Sequence, residues 1–287
     1  MYNLLVHEGG VFFVFEFMRE LLSDKNNGKF VFEAFSLCHI LYLIIIVGVI
    51  TTFVLLYKNK SQEAKQKLIN ITISIAFGLY IFDFFAMPFS DGEINIDKLP
   101  FHICTLMGVM CFASRYSKFL SKYKTTFSLL GMFGGIMYLV YPAGVSTADG
   151  YSYRIIQTVL YHGVMAAQGI FMIFFKELEF DLKNVKYDIA IIVIVAIWAM
   201  IGNTLYSGTV QEACNCVENC PHMVTTYDHD FNWFFVKHDA LYIISDEIDG
   251  YIAPFMTIGA FSLLLFLVRF AYVKIFKSFN KQKPVCS

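Results

Sequence analysis

The sequence predicts an all-α polytopic membrane protein with about seven transmembrane helices, the amino terminus outside and the carboxyl terminus in the cytoplasm. Three observations predict it. Of the 287 residues, 57% are apolar and only 16% are charged, with a mean hydropathy of +0.58, whereas a soluble domain usually carries about 25% charged residues. The apolar runs are roughly 20 residues long and apolar all round, the length that crosses ~30 Å of hydrocarbon. In lipid such a segment satisfies its backbone N–H and C=O groups internally, so each run is read as a helix. The third observation is that connections rich in Lys and Arg alternate with poor ones. A net charge of −1 gives no basis for nucleic acid as a partner, while 31 Phe and 17 Tyr suit lipid-facing surfaces and interfacial belts.

The elements follow in order. Residues 1–34 form an amino-terminal segment in which Gly10–Asp24 reads as an interfacial amphipathic helix, too short in its apolar run to span. No cleavable signal peptide is expected, because acids come early and a basic n-region and small-residue cleavage site are missing. Spans are expected near 35–57, 67–87, 99–114, 124–143, 153–175, 187–206 and 251–273. The third, between Pro100 and Arg115, is short. Lys58, Lys60, Lys65 and Lys67 follow the first span; Arg115, Lys118, Lys122 and Lys124 follow the third; Lys176, Lys183 and Lys186 follow the fifth. The tail holds Lys274, Lys277, Lys281 and Lys283, whereas the other connections hold Lys98, Arg154 and Lys237 singly. The positive-inside rule puts the rich connections in the cytoplasm. The organisation is thus 1–34, a six-helix membrane core at 35–206, an extracytoplasmic Cys-containing loop at 207–250, and a seventh helix with a basic tail at 251–287.

Ionisable and polar residues inside a membrane are costly, so each is a functional hypothesis. His39 lies near the start of the first span and Asp83 near the end of the second. His102 and Cys104 open the third, and Tyr141 ends the fourth. Gln157 and His162 lie in the fifth, after Arg154, and Asn203 lies near the end of the sixth. With odd spans running inward and even spans outward, all of these share the outer half of the bilayer. At 1.5 Å per residue, Cys104 sits roughly 6–8 Å below the outer boundary and His162 roughly 12–14 Å below. The inner halves read as almost purely apolar. Set against this, polar residues near helix ends often snorkel or bond to a neighbouring helix. Cys104 alone most often reads as a small core hydrophobe. His102 points about 200° away from it on a helix, so its candidate imidazole partner is His162. A thiol beside an imidazole acts as a nucleophile when the imidazole takes its proton.

Phe35-x-x-x-His39, Leu99-Pro-x-His-x-Cys104, Arg154-x-x-Gln157-x-x-x-x-His162 and Gly202-Asn203 together resemble the YwaF-like integral membrane proteins of bacteria. The resemblance covers spans one to six. That family looks related to a eukaryotic transmembrane acyltransferase that remodels ether phospholipids, and to transmembrane hydrolases that use a threonine and a histidine on lipid esters. The resemblance implies an acyl-enzyme thioester at Cys104, with His162 as general base and then general acid. It implies no cofactor, and membrane lipid as the partner. The chain departs from the pattern after Tyr206: members usually join spans six and seven briefly, often with a proline soon after the asparagine, and here residues 207–250 intervene.

That loop holds Cys214, Cys216, Cys220 and His222. Cys₃His is a known zinc set, but this spacing matches no familiar finger or ribbon, and one disulfide plus a free thiol is the blander alternative in an oxidising compartment. Phe231–Phe235 (FNWFF) is a candidate lid over the site. Three functions compete. The first is a lipid acyltransferase or lipid-ester hydrolase working through Cys104 and His162, with His102, Gln157 or Asn203 donating to an oxyanion. The second is a small-solute binding or transport protein with an outer polar pocket lined by His39, Asp83, His102, Tyr141, Gln157 and Asn203. The third is a scaffold that docks a partner on the cysteine loop. The sequence does not specify lipid class, acyl donor or oligomeric state.

Overall fold

A computed structural model describes residues 30–91, 99–142, 148–213, 224–229, 232–237 and 246–280. The expected interfacial helix at Gly10–Asp24 lies outside the described residues, as does the 214–222 cysteine cluster. Within them the chain forms seven α-helices: α1 Leu37–Tyr57, α2 Gln62–Asp91, α3 Ile103–Ala113, α4 Lys124–Val140, α5 Tyr153–Phe174, α6 Val185–Tyr206 and α7 Asp246–Asn280. Five segments are long and apolar enough to cross a membrane: Leu37–Tyr57, Gln62–Phe85, Tyr153–Phe174, Leu182–Tyr206 and Gly250–Lys274. The expected third and fourth spans are the points of difference: neither α3 nor α4, which has 17 residues, is among the five. α3 has 11 residues, about 17 Å at 1.5 Å per residue, little more than half of the ~30 Å hydrocarbon layer.

The helix starts are written locally. Ser36 caps α1 by accepting from the His39 N–H at 3.3 Å, and Ser152 caps α5 by accepting from the Ile155 N–H at 3.4 Å. Pro254 sits inside α7, where its missing N–H interrupts the helical ladder.

The chain packs as two compact units, one of residues 1–100 and 104–179, the other of residues 101–103 and 180–287. In the first unit α5 is the enclosed helix: 78% of its most apolar stretch is buried, against none of that of α1. α1 turns Ile44, Ile45, Leu55 and Leu56 outward, which suits lipid, whose tails are as apolar as leucine. Small residues set the α4–α5 spacing. A Cβ on Gly135 would lie 2.7 Å from the His162 carbonyl oxygen, so only glycine lets the two backbones come this close. Strands β1 (Val31–Phe32) and β2 (Ala148–Asp149) pair antiparallel, with Val31 opposite Asp149 and Phe32 opposite Ala148.

In the second unit, β3 (Gly208–Ala213) and β4 (Val224–His229) pair antiparallel, from Gly208 opposite His229 to Ala213 opposite Val224. Asp188, in the first turn of α6, and Arg269, on α7, form a bidentate ion pair, Nε–Oδ2 2.5 Å and Nη2–Oδ1 2.8 Å. Both are essentially fully buried. This corrects the expectation that the ends of the helices opposite Asn203 are almost purely apolar. In the first unit the same correction comes from Gln168, which is fully buried; just beyond the expected spans, the Arg115–Glu177 ion pair ties the end of α3 to the turn after α5.

Candidate functional site

The expected residues of the first unit gather around α5. Tyr161 donates from Oη to the main-chain oxygen of Cys104 at 2.9 Å. The approach requires Gly108, one turn beyond Cys104, since a Cβ there would come 2.8 Å from Tyr161 Oη. Tyr161 thereby sets the level of Cys104 against α5, and the next residue on α5 is His162. The two rings meet edge to face, with centroids 5.2 Å apart. Cys104 is half-buried and is not in a disulfide. Among the described residues, no hydrogen bond joins its sulfur to the His162 ring.

His162 is 9% exposed, and its Nδ1 lies 2.8 Å from the Thr158 carbonyl oxygen. A carbonyl only accepts, so Nδ1 carries the proton and, in the neutral ring, Nε2 carries the lone pair. One face of the imidazole is covered by Tyr138, stacked at 3.8 Å and 10°. Gly135, one turn before Tyr138 on α4, is the residue that touches the His162 backbone. Beside them Gln157 is buried, its Oε1 accepting from Thr158 Oγ1 at 3.3 Å.

Asp83 is also buried, and the neighbouring Phe82 packs against Tyr153, at the start of α5, with ring centroids 6.2 Å apart. The hydroxyls of Tyr138 and Tyr153 are buried and make no hydrogen bond of ordinary length among the described residues, though the Thr158 side chain lies beside that of Tyr138. This is unusual, because a buried polar group without a partner costs about 1–3 kcal/mol. Cys104 and Arg154 both act electrostatically on the Tyr138 hydroxyl.

Other expected pocket residues are used differently. His39 is buried, but Nδ1 accepts from the Phe35 N–H at 2.9 Å and Nε2 donates to the Leu139 carbonyl at 2.7 Å. Both nitrogens therefore serve the fold, clamping the start of α1 to the end of α4. The first of these bonds holds Phe35 at φ 64°, a conformation rare for a bulky residue. Tyr141, at the end of α4, is 63% exposed and does not join the buried group.

His102 and Asn203 belong to the second unit. His102 is exposed and lies edge-on to Trp233 at 6.1 Å. The Asn203 amide is engaged with the backbone of Trp233, accepting from its N–H at 2.9 Å and donating to its carbonyl at 3.3 Å. Of the aromatic segment expected as a lid, residues 232–235 are described, and they are packed within the second unit. Trp233 and Phe234 are buried, Trp233 stacks on Phe101 at 4.7 Å, and Thr257 donates to the Phe235 carbonyl at 2.8 Å. The candidate zinc ligands Cys214, Cys216, Cys220 and His222 lie outside the described residues. Among the described ones, no three His, Cys, Asp or Glu side chains converge as metal ligands.

Sequence reasoning missed Tyr138, Tyr161, Thr158 and Gly108. A signal existed for two of them: Tyr161 adjoins His162, and Gly108 is one helical turn from Cys104. A family model, that of the TMEM164 family, matches residues 34–273. A search of the curated proteins and a search of the solved structures found no match.

Proposed function

The chain belongs to the TMEM164 family, a transmembrane family, and from that premise we propose that it is a multi-pass lipid acyltransferase or lipid-ester hydrolase of the cell membrane, with Cys104 as nucleophile and His162 as its base. The observation that carries this reading is the tautomer of His162. Its Nδ1 proton is held by the Thr158 carbonyl, which makes Nε2 the basic nitrogen of a buried imidazole at the level of Cys104. A thiol that gives its proton to such a base becomes a thiolate nucleophile. The likeness of the Leu99-Pro-x-His-x-Cys104 and Arg154–His162 motifs to those of YwaF-like proteins points to the same chemistry. The outward-facing apolar surface of α1 suits a lipid substrate that enters sideways.

Cys104 attacks the acyl carbonyl of a lipid ester, and its proton passes to His162. The tetrahedral adduct collapses as His162 protonates the departing lysolipid oxygen, leaving a thioester on Cys104. A second hydroxyl, of water or of an acceptor lysolipid, gives its proton to His162 and attacks the thioester, restoring the thiol. Supporting donors come from groups near the carbonyl, such as Gln157.

The test uses the full chain in detergent, treated with a lipid-like chloroacetamide, with the adduct mapped by mass spectrometry. Labelling is expected at Cys104, abolished in Cys104→Ala and slowed about 10²-fold or more in His162→Ala, the range of general-base catalysis. Labelling that is equally fast without His162 overturns the pair and leaves solute binding as the reading of the site.

A further inference from the structure

We propose that Tyr138 donates the hydrogen bond that stabilises the oxyanion formed when Cys104 attacks the acyl carbonyl. The proposal rests on the reading of Cys104 and His162 as an acyl-transfer pair. It starts from a buried phenol. The Tyr138 hydroxyl is buried and makes no hydrogen bond of ordinary length among the described residues; the Thr158 side chain beside it has its own proton on Gln157 Oε1 and so only accepts from Tyr138, which leaves the phenol proton to be turned onto a better acceptor. The neighbouring donors are already engaged: the Tyr161 hydroxyl on the Cys104 main chain, the Thr158 hydroxyl on Gln157 Oε1, and His162 Nδ1 on the Thr158 carbonyl.

Tyr138 is also held in place. Its ring lies flat on His162 at 3.8 Å, and the glycine one turn earlier on α4, Gly135, rests on the His162 backbone. A donor fixed before reaction is what stabilises charge as it develops. The electrostatic surroundings favour Tyr138 over Tyr153. Arg154, a cation, acts on the Tyr138 hydroxyl ahead of the opposing influence of Cys104, whereas the charged neighbour acting on Tyr153 is the acidic Asp83. An anion beside a developing anion opposes the reaction.

In the step itself, the Cys104 proton moves to His162 Nε2 and the sulfur forms a bond to the carbonyl carbon. The carbonyl π pair moves onto oxygen, where the neutral Tyr138 O–H donates to it. The pair then returns, the carbon–oxygen bond to the leaving alcohol breaks, and His162 returns its proton to that alcohol. Tyr138 keeps its own proton throughout.

The experiment uses the purified full chain in lipid nanodiscs and p-nitrophenyl octanoate, reading p-nitrophenolate release and the mass shift on Cys104. In parallel, Cys104 is alkylated with iodoacetamide, a displacement that forms no oxyanion. Tyr138→Phe keeps the ring stack and is expected to slow acylation about 10²-fold or more, the effect of removing one oxyanion donor, with alkylation within about threefold of the parent. Tyr153→Phe should leave both rates within about threefold. Acylation by Tyr138→Phe within threefold of the parent overturns the proposal, and so does a parallel fall in acylation and alkylation, which marks a role in packing. If Tyr138→Phe does not fold, 3-fluorotyrosine at position 138, a stronger donor, should speed acylation; an unchanged rate overturns the proposal. A parent chain that is never acylated at Cys104 defeats the acyl-transfer reading first, and the role of Tyr138 with it.

Discussion

Gly108 and Tyr161 make a lock in which one atom decides the fit. The phenol reaches the Cys104 carbonyl only because position 108 has no side chain, and an added Cβ would lie 2.8 Å from Oη. Gly108→Ala must therefore push the ring away from the carbonyl and shift α3 against His162. Alkylation of Cys104 by a lipid-like chloroacetamide should slow in Gly108→Ala and recover in part in Gly108→Ala/Tyr161→Phe, where the clashing oxygen is gone. The rates of both variants check this, and a double variant no faster than the single one removes Tyr161 from the account. At this scale the sequence was half legible. It pointed to Asp83, Gln157, His162, His39 and Asn203 as polar groups in an apolar setting, and all five are buried. What it could not show is the partner. The amide of Asn203 and Nε2 of His39 bond to main-chain groups 30 and 100 residues away, and a backbone group carries no sequence signature.

The elements were legible where length and hydrophobicity act alone. The expected spans near 35–57, 153–175 and 187–206 differ from α1, α5 and α6 by two residues or fewer at each end. They were illegible where one charge hides another. Asp188 and Arg269 lie 81 residues apart, and each alone reads as an interfacial residue near a helix end. Together they are a buried fork–fork pair that fastens α6 to α7. Removing one partner leaves an uncompensated buried charge, which costs about 3–5 kcal/mol, whereas replacing both with apolar residues is often close to neutral. Asp188→Leu should accordingly lower the thermal midpoint in detergent sharply, and Asp188→Leu/Arg269→Met should regain most of the loss. Additive losses would mean that the pair is not what holds the two helices.

For the whole molecule the question is how the chain crosses the membrane, and it turns on α4 and, above all, on α3, neither of which is among the five segments long and apolar enough to span. At 11 residues α3 is too short to span as a helix alone. If residues 99–123 dipped in and returned on one side, the basic group Arg115–Lys124 would face the opposite compartment from the basic group Lys58–Lys67. The positive-inside rule argues for the same side, with the rest of the crossing supplied by the turns and short 3₁₀ helix Leu120–Tyr123 that follow α3. Non-helical backbone is tolerated at that depth only when protein covers it. The main-chain bonds of Ser114, Arg115 and Tyr116 to Met110, Phe112 and Ala113, together with the Arg115–Glu177 pair, give such cover. The measurement is labelling of single cysteines in intact cells with a membrane-impermeant maleimide, the native cysteines being replaced by serine. Lys60→Cys and Lys122→Cys should both stay protected until the membrane is permeabilised, while Tyr151→Cys, between α4 and α5, is labelled at once. Immediate labelling of Lys122→Cys with Lys60→Cys still protected would make α3 re-entrant. The number of spans would then be six, the carboxyl terminus would lie outside, and Cys104 would sit in a loop that dips into the bilayer and returns.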